Sequence, residues 1–202
     1  MNIEFKSTAI HKYVCRILLK DNITKDDLDT VKRLVINFNA LLNDEKSKVM
    51  ADLKLFNNLE HLSLTLFSIT QEDIDILKSI DTLKYITFDL CKINCTLDGH
   101  FTSLVLNSCS GIDSNEITMS SLKELKIIEA PGILDLRSIL SCAKLKELDI
   151  LNCNILNIND LLKFEALEKV NLSGSNVDDD SISILSEHMK IIYHKEYHPT
   201  GL

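Results

Sequence analysis

The pattern LxxLxLxx(N/C)xL recurs in phase along this 202-residue chain, and a recurrence of that length restricts the fold more than any composition can. The first copy is Val31, Leu34, Ile36, Asn39 and Leu41, and the second is Leu59, Leu62, Leu64, Phe67 and Ile69, with Phe67 in the fourth slot. A third runs Leu83, Ile86, Phe88, Cys91 and Ile93. A degraded fourth, Phe101, Leu104, Leu106 and Cys109, reaches its last apolar residue, Ile112, one position late. Leu122, Leu125, Ile127 and Ala130 follow, with Gly132 and Ile133 at the end. Next come Leu145, Leu148, Ile150, Cys153 and Ile155, and then Leu167, Val170, Leu172, Ser175 and Val177. An incomplete last copy reads Met189, Ile192, His194 and Tyr197. No unit of this size can bury its apolar side chains alone, so neighbouring units must stack into one continuous core.

From residue 31 to about 197 the chain resembles the leucine-rich-repeat family. The resemblance implies an α/β right-handed solenoid, a horseshoe arc with a parallel concave sheet and a mixed helix and turn convex side. It also implies that the Asn or Cys slot points inward and satisfies backbone groups at the turn. The expected organisation is a helical N-terminal cap over 1–30, seven strand-bearing repeats over 31–188, and a terminal strand with a C-terminal cap over 189–202. The shortest step, from Leu83 to Phe101, should be the tightest point of the arc.

Outside the strands, apolar residues at helical spacing predict short helices over 44–56, 71–80, 136–142 and 178–188, whereas 97–100 and 113–120 are short enough to be plain turns. Ahead of the repeats, Ile10, Tyr13, Val14, Ile17 and Leu18 fall on one helical face, an arrangement similar to the helical caps of internalin-like bacterial proteins. Thr24 and Asp27 resemble a capping box with Asp in place of Glu, which would start a helical turn at Lys25.

A net charge of −8 argues against a surface that tracks phosphates, so no nucleic-acid partner is expected and a basic protein fits better. The first residues carry no secretion signal, and no apolar run is long enough to span a bilayer. The expected location is therefore cytoplasmic, where Cys15, Cys91, Cys95, Cys109, Cys142 and Cys153 stay thiols. Three of them, Cys91, Cys109 and Cys153, occupy the inward slot and read as structural; the Cys91/Cys95 pair lacks a partner set for zinc. No cofactor and no metal are expected.

In-register stacking would place equivalent outward residues in columns on the concave face. One column reads Arg33, His61, Tyr85, Ser103, Glu124, Glu147, Lys169 and Ile191. The next reads Val35, Ser63, Thr87, Val105, Lys126, Asp149, Asn171 and Tyr193. A third reads Asn37, Thr65, Asp89, Asn107, Ile128, Leu151, Ser173 and Lys195. The candidate partner-binding residues are Arg33, His61, Tyr85, Glu124, Lys126, Glu129, Glu147, Asp149, Lys169 and Tyr193. Glu124, Glu129, Glu147 and Asp149 form an acidic middle, flanked by aromatic anchors at Tyr85 and Tyr193. Any single surface carboxylate is more often merely solvated, so it is the face as a whole that is expected to bind. Phe38, Leu66 and Leu90, two positions past the LxL triplet, either form an exposed strip or, as expected, tuck under the ascending loops.

An enzyme is not expected. Glu147 and Asp149 share a strand face, but an open sheet has no water-excluding pocket to separate their pKa values. His194, Glu196 and His198 spell HxExH, which matches no zinc-protease motif. The expected function is a non-enzymatic interaction module, a monomer with no membrane partner, that binds a protein on its concave face. Alternatives are an intracellular inhibitor or immunity-type protein against a basic toxin or nuclease, and a substrate-recognition subunit of a ubiquitin ligase.

Overall fold

A computed structural model describes residues 3–38 and 46–196. Among them, eight strands form one parallel sheet in chain order: β1 (Arg33–Asn37), β2 (His61–Thr65), β3 (Tyr85–Asp89), β4 (Ser103–Asn107), β5 (Glu124–Ile128), β6 (Glu147–Leu151), β7 (Lys169–Asn171) and β8 (Lys190–Ile192). Each strand alternates, with the Leu, Ile, Val and Phe of the triplet inside and the residues between them outside. The register pairs equivalent residues, Leu34 with Leu62, Leu62 with Ile86, and Ile86 with Leu104, so the inner rows fuse into one buried core. Asn39 and Leu41, the last two slots of the first copy, lie outside the described residues.

The inward polar slot forms a ladder. The Cys91 thiol donates to the Leu64 carbonyl at 3.3 Å, Cys109 to Phe88 at 3.2 Å, and the Ser175 hydroxyl to Ile150 at 2.9 Å, each reaching the preceding unit. The slot has room for a small, weakly polar side chain, which a thiol or hydroxyl supplies. Burial pushes the Cys142 and Cys153 thiols up, and a hydrogen bond with Cys91 together with burial does the same to Cys109. Burial thus favours the protonated, hydrogen-bond-donating form of Cys109, Cys142 and Cys153.

Directly after the strands the chain turns through the left-handed region at Leu66, Leu90, Ser108, Glu129, Asn152 and Gly174. The turn aims each N–H at the next unit: Leu66 donates to Asp89 at 2.9 Å, Leu90 to Asn107 at 2.8 Å, and Gly174 to His194 at 2.8 Å. Only glycine enters this region freely, and other L-residues lose roughly 1–2 kcal/mol. Asn152 and Gly174 suit the position, whereas Ser108, Glu129 and above all the two leucines do not.

On the other side, α3 (Lys46–Asp52), α4 (Gln71–Lys78) and α5 (Asp179–Ser186) occupy predicted helical segments. Residues 136–142 differ: Leu136–Ile139 is a 3-10 turn capped by Asp135, which accepts from the Arg137 N–H at 3.0 Å, because the segment is too short for a full α-turn. A second 3-10 turn, Ile158–Lys163, had only a brief apolar signal. The two segments expected as plain turns contain a small parallel pair, Leu97–Asp98 on Ile117–Thr118, beside a 3-10 turn at Ile112–Ser114. Leu97 and Ile117 are both buried, so their backbone groups must find partners, and each segment supplies the other's.

The cap begins with α1 (Thr8–Leu18), whose N-cap Ser7 accepts from the Ile10 N–H at 3.2 Å. Ile10 and Val14 are buried, but Ile17 faces outward. The predicted helical turn is α2 (Lys25–Asp29), with both arms of the Thr24/Asp27 box formed. Lys20 and then the Thr24 backbone N–H hold the Asp27 carboxyl at about 2, below its ordinary value of 3.8. A depressed carboxylate contributes stability that is complete above its unfolded value and is lost as pH falls through the folded one. The chemical shifts of α2 should therefore hold to below pH 3.8 and change near pH 2, and Lys20→Met should move that midpoint upward.

Candidate functional site

On the open face of the sheet the first outward column is Arg33, His61, Tyr85, Ser103, Glu124, Glu147 and Lys169, paired residue to residue as the sequence predicts. Its eighth member is Lys190 and not Ile191, because Lys169 pairs with Lys190, Val170 with Ile191, and Asn171 with Ile192. This one-residue shift reverses every side chain of β8. Tyr193 therefore leaves the outward column and packs against the core, where its hydroxyl donates to the Val177 carbonyl at 3.0 Å. The shift keeps Lys190 in water and buries part of Ile191 and Tyr193, which the expected register would have exposed. Tyr193 is thus no flanking anchor on this face.

Repetition of phased LxL strands, an inward polar ladder and in-register parallel pairing over eight units decides the architecture. The chain has the leucine-rich-repeat fold. Solved structures that share it include an internalin C2 from Listeria monocytogenes str. 4b F2365, at 20% identity over 94% of this chain and 94% of that one, with a TM-score of 0.50. InlP from Listeria monocytogenes matches at 20% identity over 85% of this chain and 52% of that one, with a TM-score of 0.60. No protein-family model matches the sequence, and no curated protein does.

Within the leucine-rich-repeat solenoid, two carboxylates of the predicted acidic middle are paired with lysines on neighbouring strands. Glu147 accepts from Lys169 on the next strand at 2.9 Å, and Asp149 lies 3.7 Å from Lys126 on the previous one. The Glu147 carboxylate raises Lys169 above the usual lysine range. Glu124 is exposed in the same column. Glu129 is not on the strand at all: it occupies the left-handed turn after β5, with its carboxylate 3.3 Å from the Ser108 hydroxyl and 3.5 Å from the Asn152 amide. The outward columns hold Arg33, Lys126, Lys169 and Lys190 against Asp89, Glu124, Glu147 and Asp149, so the excess negative charge of the chain lies elsewhere. Leu151, in the third predicted column, is buried and unavailable to a partner.

At the other end of the sheet the rings of His61 and Tyr85 stack face to face, 4.2 Å apart and 7° from parallel. Adjacent strands in register place these two side chains at the spacing where aromatic rings touch. Tyr85 is 39% exposed and Val35 is 46% exposed. The sequence placed His61 and Tyr85 next to each other in one column but did not signal the stack. Of Phe38, Leu66 and Leu90, Phe38 does tuck in, its ring 5.3 Å from that of Phe67, and Leu66 is half-buried. Leu90 departs from expectation and stands 51% exposed, because the left-handed turn points it off the core.

Of the HxExH residues, His194 is exposed, Glu196 is exposed, and His198 lies outside the described residues. Among the described residues, no His, Cys, Asp or Glu cluster has the arrangement to hold a metal, and no helix is long and apolar enough to cross a membrane.

Proposed function

We propose that this chain is a non-enzymatic interaction module that binds a partner protein on its concave sheet. The observation that carries the reading is the exposed His61–Tyr85 stack on an otherwise uncovered parallel sheet. Parallel sheets are ordinarily covered on both faces, and here the outer elements cover only one. A rigid aromatic with a polar tip is the side chain most often found at the energetic centre of an interface. Arg33, Glu124, Lys126, Glu147, Asp149 and Lys169 extend the surface along the strands, with paired charges that fix orientation more than they add affinity.

The partner contact is expected to rest on Tyr85. In affinity capture from the organism of origin, Tyr85→Ala should weaken retention of one specific protein by about 2 kcal/mol, roughly thirty-fold. A double variant, Glu124→Lys with Glu147→Lys, should weaken it less and chiefly slow association. Equal capture by the unmodified chain and both variants would place the contact off this face and end the proposal.

A further inference from the structure

The concave face divides into two halves of different chemistry. Over β5 to β8 the outward residues are mostly charged, and Lys126–Asp149 and Lys169–Glu147 satisfy one another. Over β1 to β4 the floor is Val35, Ser63, Thr87 and Val105, small and uncharged. One rim of that half carries the His61–Tyr85 stack; the other carries Leu66 and Leu90.

Those two leucines are held unfavourably, Leu90 on two counts. Both adopt positive φ, 64° for Leu66 and 51° for Leu90, a conformation that strains a branched side chain, and Leu90 is also half in water. The same turn is made one unit after Leu90 by Ser108, and later by Glu129, Asn152 and Gly174, so the fold has no need of leucine there. The turn itself serves the ladder between units, but a leucine in it, half in water at Leu90, has no folding reason. A contact with another molecule supplies one.

Charge identifies the occupant. Along the start of the strands stand Lys32, Arg33 and Lys84, all exposed, against Glu60, which Lys32 engages at 3.0 Å and which Lys32 holds below the usual carboxylate range. The nearest outward acid on the floor, Asp89, accepts from the Asn107 amide at 2.6 Å. Lys32, Arg33 and Lys84 thus outnumber Glu60 and Asp89, a small positive excess on a chain of net charge −8.

We infer that the first four strands form the docking site for a protein segment that presents apolar side chains and a carboxylate, with Leu66, Leu90 and Tyr85 gripping the apolar part and Arg33 and Lys84 meeting the acid. This inference rests on the reading of the concave sheet as the binding face, and it reverses the expectation of a basic partner. It also assigns the two left-handed leucines to binding instead of stability.

The test uses a phage-displayed library of random peptides selected on the full chain. Selected peptides should be enriched in Leu, Phe and Asp or Glu, and depleted in Lys and Arg. Their binding should fall roughly tenfold or more both with Tyr85→Ala and with Leu66→Asn combined with Leu90→Asn. The leucine double variant should match or exceed the parent's thermal midpoint, because asparagine tolerates the turn; a structural role for the leucines would lower it. Basic peptides that respond to Glu124→Lys but not to the leucine changes would overturn this site and leave the concave reading standing. Selected peptides indifferent to every concave substitution would overturn both. A library that yields no binder above background would overturn the docking site.

Discussion

Phe101→Ala is expected to lower the unfolding free energy by about 3–5 kcal/mol, the range for emptying a large aromatic from a packed core. Phe101 is fully buried and occupies the first slot of the unit that follows the shortest step. Its ring lies 5.0 Å from that of His100 and fills space left by Gly99, where an added Cβ would come within 2.6 Å of the ring edge. In a stacked array each unit touches only its neighbours, so a void between β3 and β4 weakens the junction that joins the two ends. Urea unfolding followed by circular dichroism should show a lower midpoint and a broader transition, as the two ends begin to unfold separately. A loss under about 1 kcal/mol would mean that this unit collapses around the gap.

Asp52→Ala is expected to destabilise the chain by about 3 kcal/mol, because it leaves the buried Ser7 N–H and the partly buried Lys6 N–H without their acceptor. Asp52 is 2% exposed at the end of α3, and its carboxylate accepts from the Lys6 N–H at 3.0 Å and the Ser7 N–H at 2.7 Å. Ser7 is itself fully buried and caps α1, so this one carboxylate ties the N-terminal cap to the first repeat. The effect should be local: amide exchange in α1 should accelerate well before that in β5 or β6. Asp52→Asn keeps one accepting oxygen and should fall between parent and alanine. Uniform acceleration through all strands would contradict the tie.

Much of this was legible in the sequence because a repeat states its rule many times. Leu104 is identified as an inward residue by its own neighbours and also by Leu62, Ile86 and Leu125 at equivalent places, and all four are buried. The Thr24/Asp27 box is a local device whose hydrogen bonds span three residues, and it was equally readable. The register of β8 was not. Its copy is too degraded to choose between two phases one residue apart, and the decision rests on whether Ile191 and Tyr193 or Ile192 and His194 face the core.

Candidate residues follow the same division. Their column positions came from phase, but whether a carboxylate there is available to a partner depends on the lysine across the strand, some twenty residues away. Asp52 and Ser7 lie 45 residues apart, and no periodicity links them.

By itself, then, the sequence determined the class of fold, the inward rows and the in-register columns, because hydrophobic periodicity acts at every copy and admits one stacking solution. Only the tertiary structure decided which columns are open, which charges are already spoken for, that Glu129 and Tyr193 leave the face, and that Leu90 stands out in water. Those outcomes turn on single left-handed turns, one register step and contacts between units, none of which leaves a pattern along the chain.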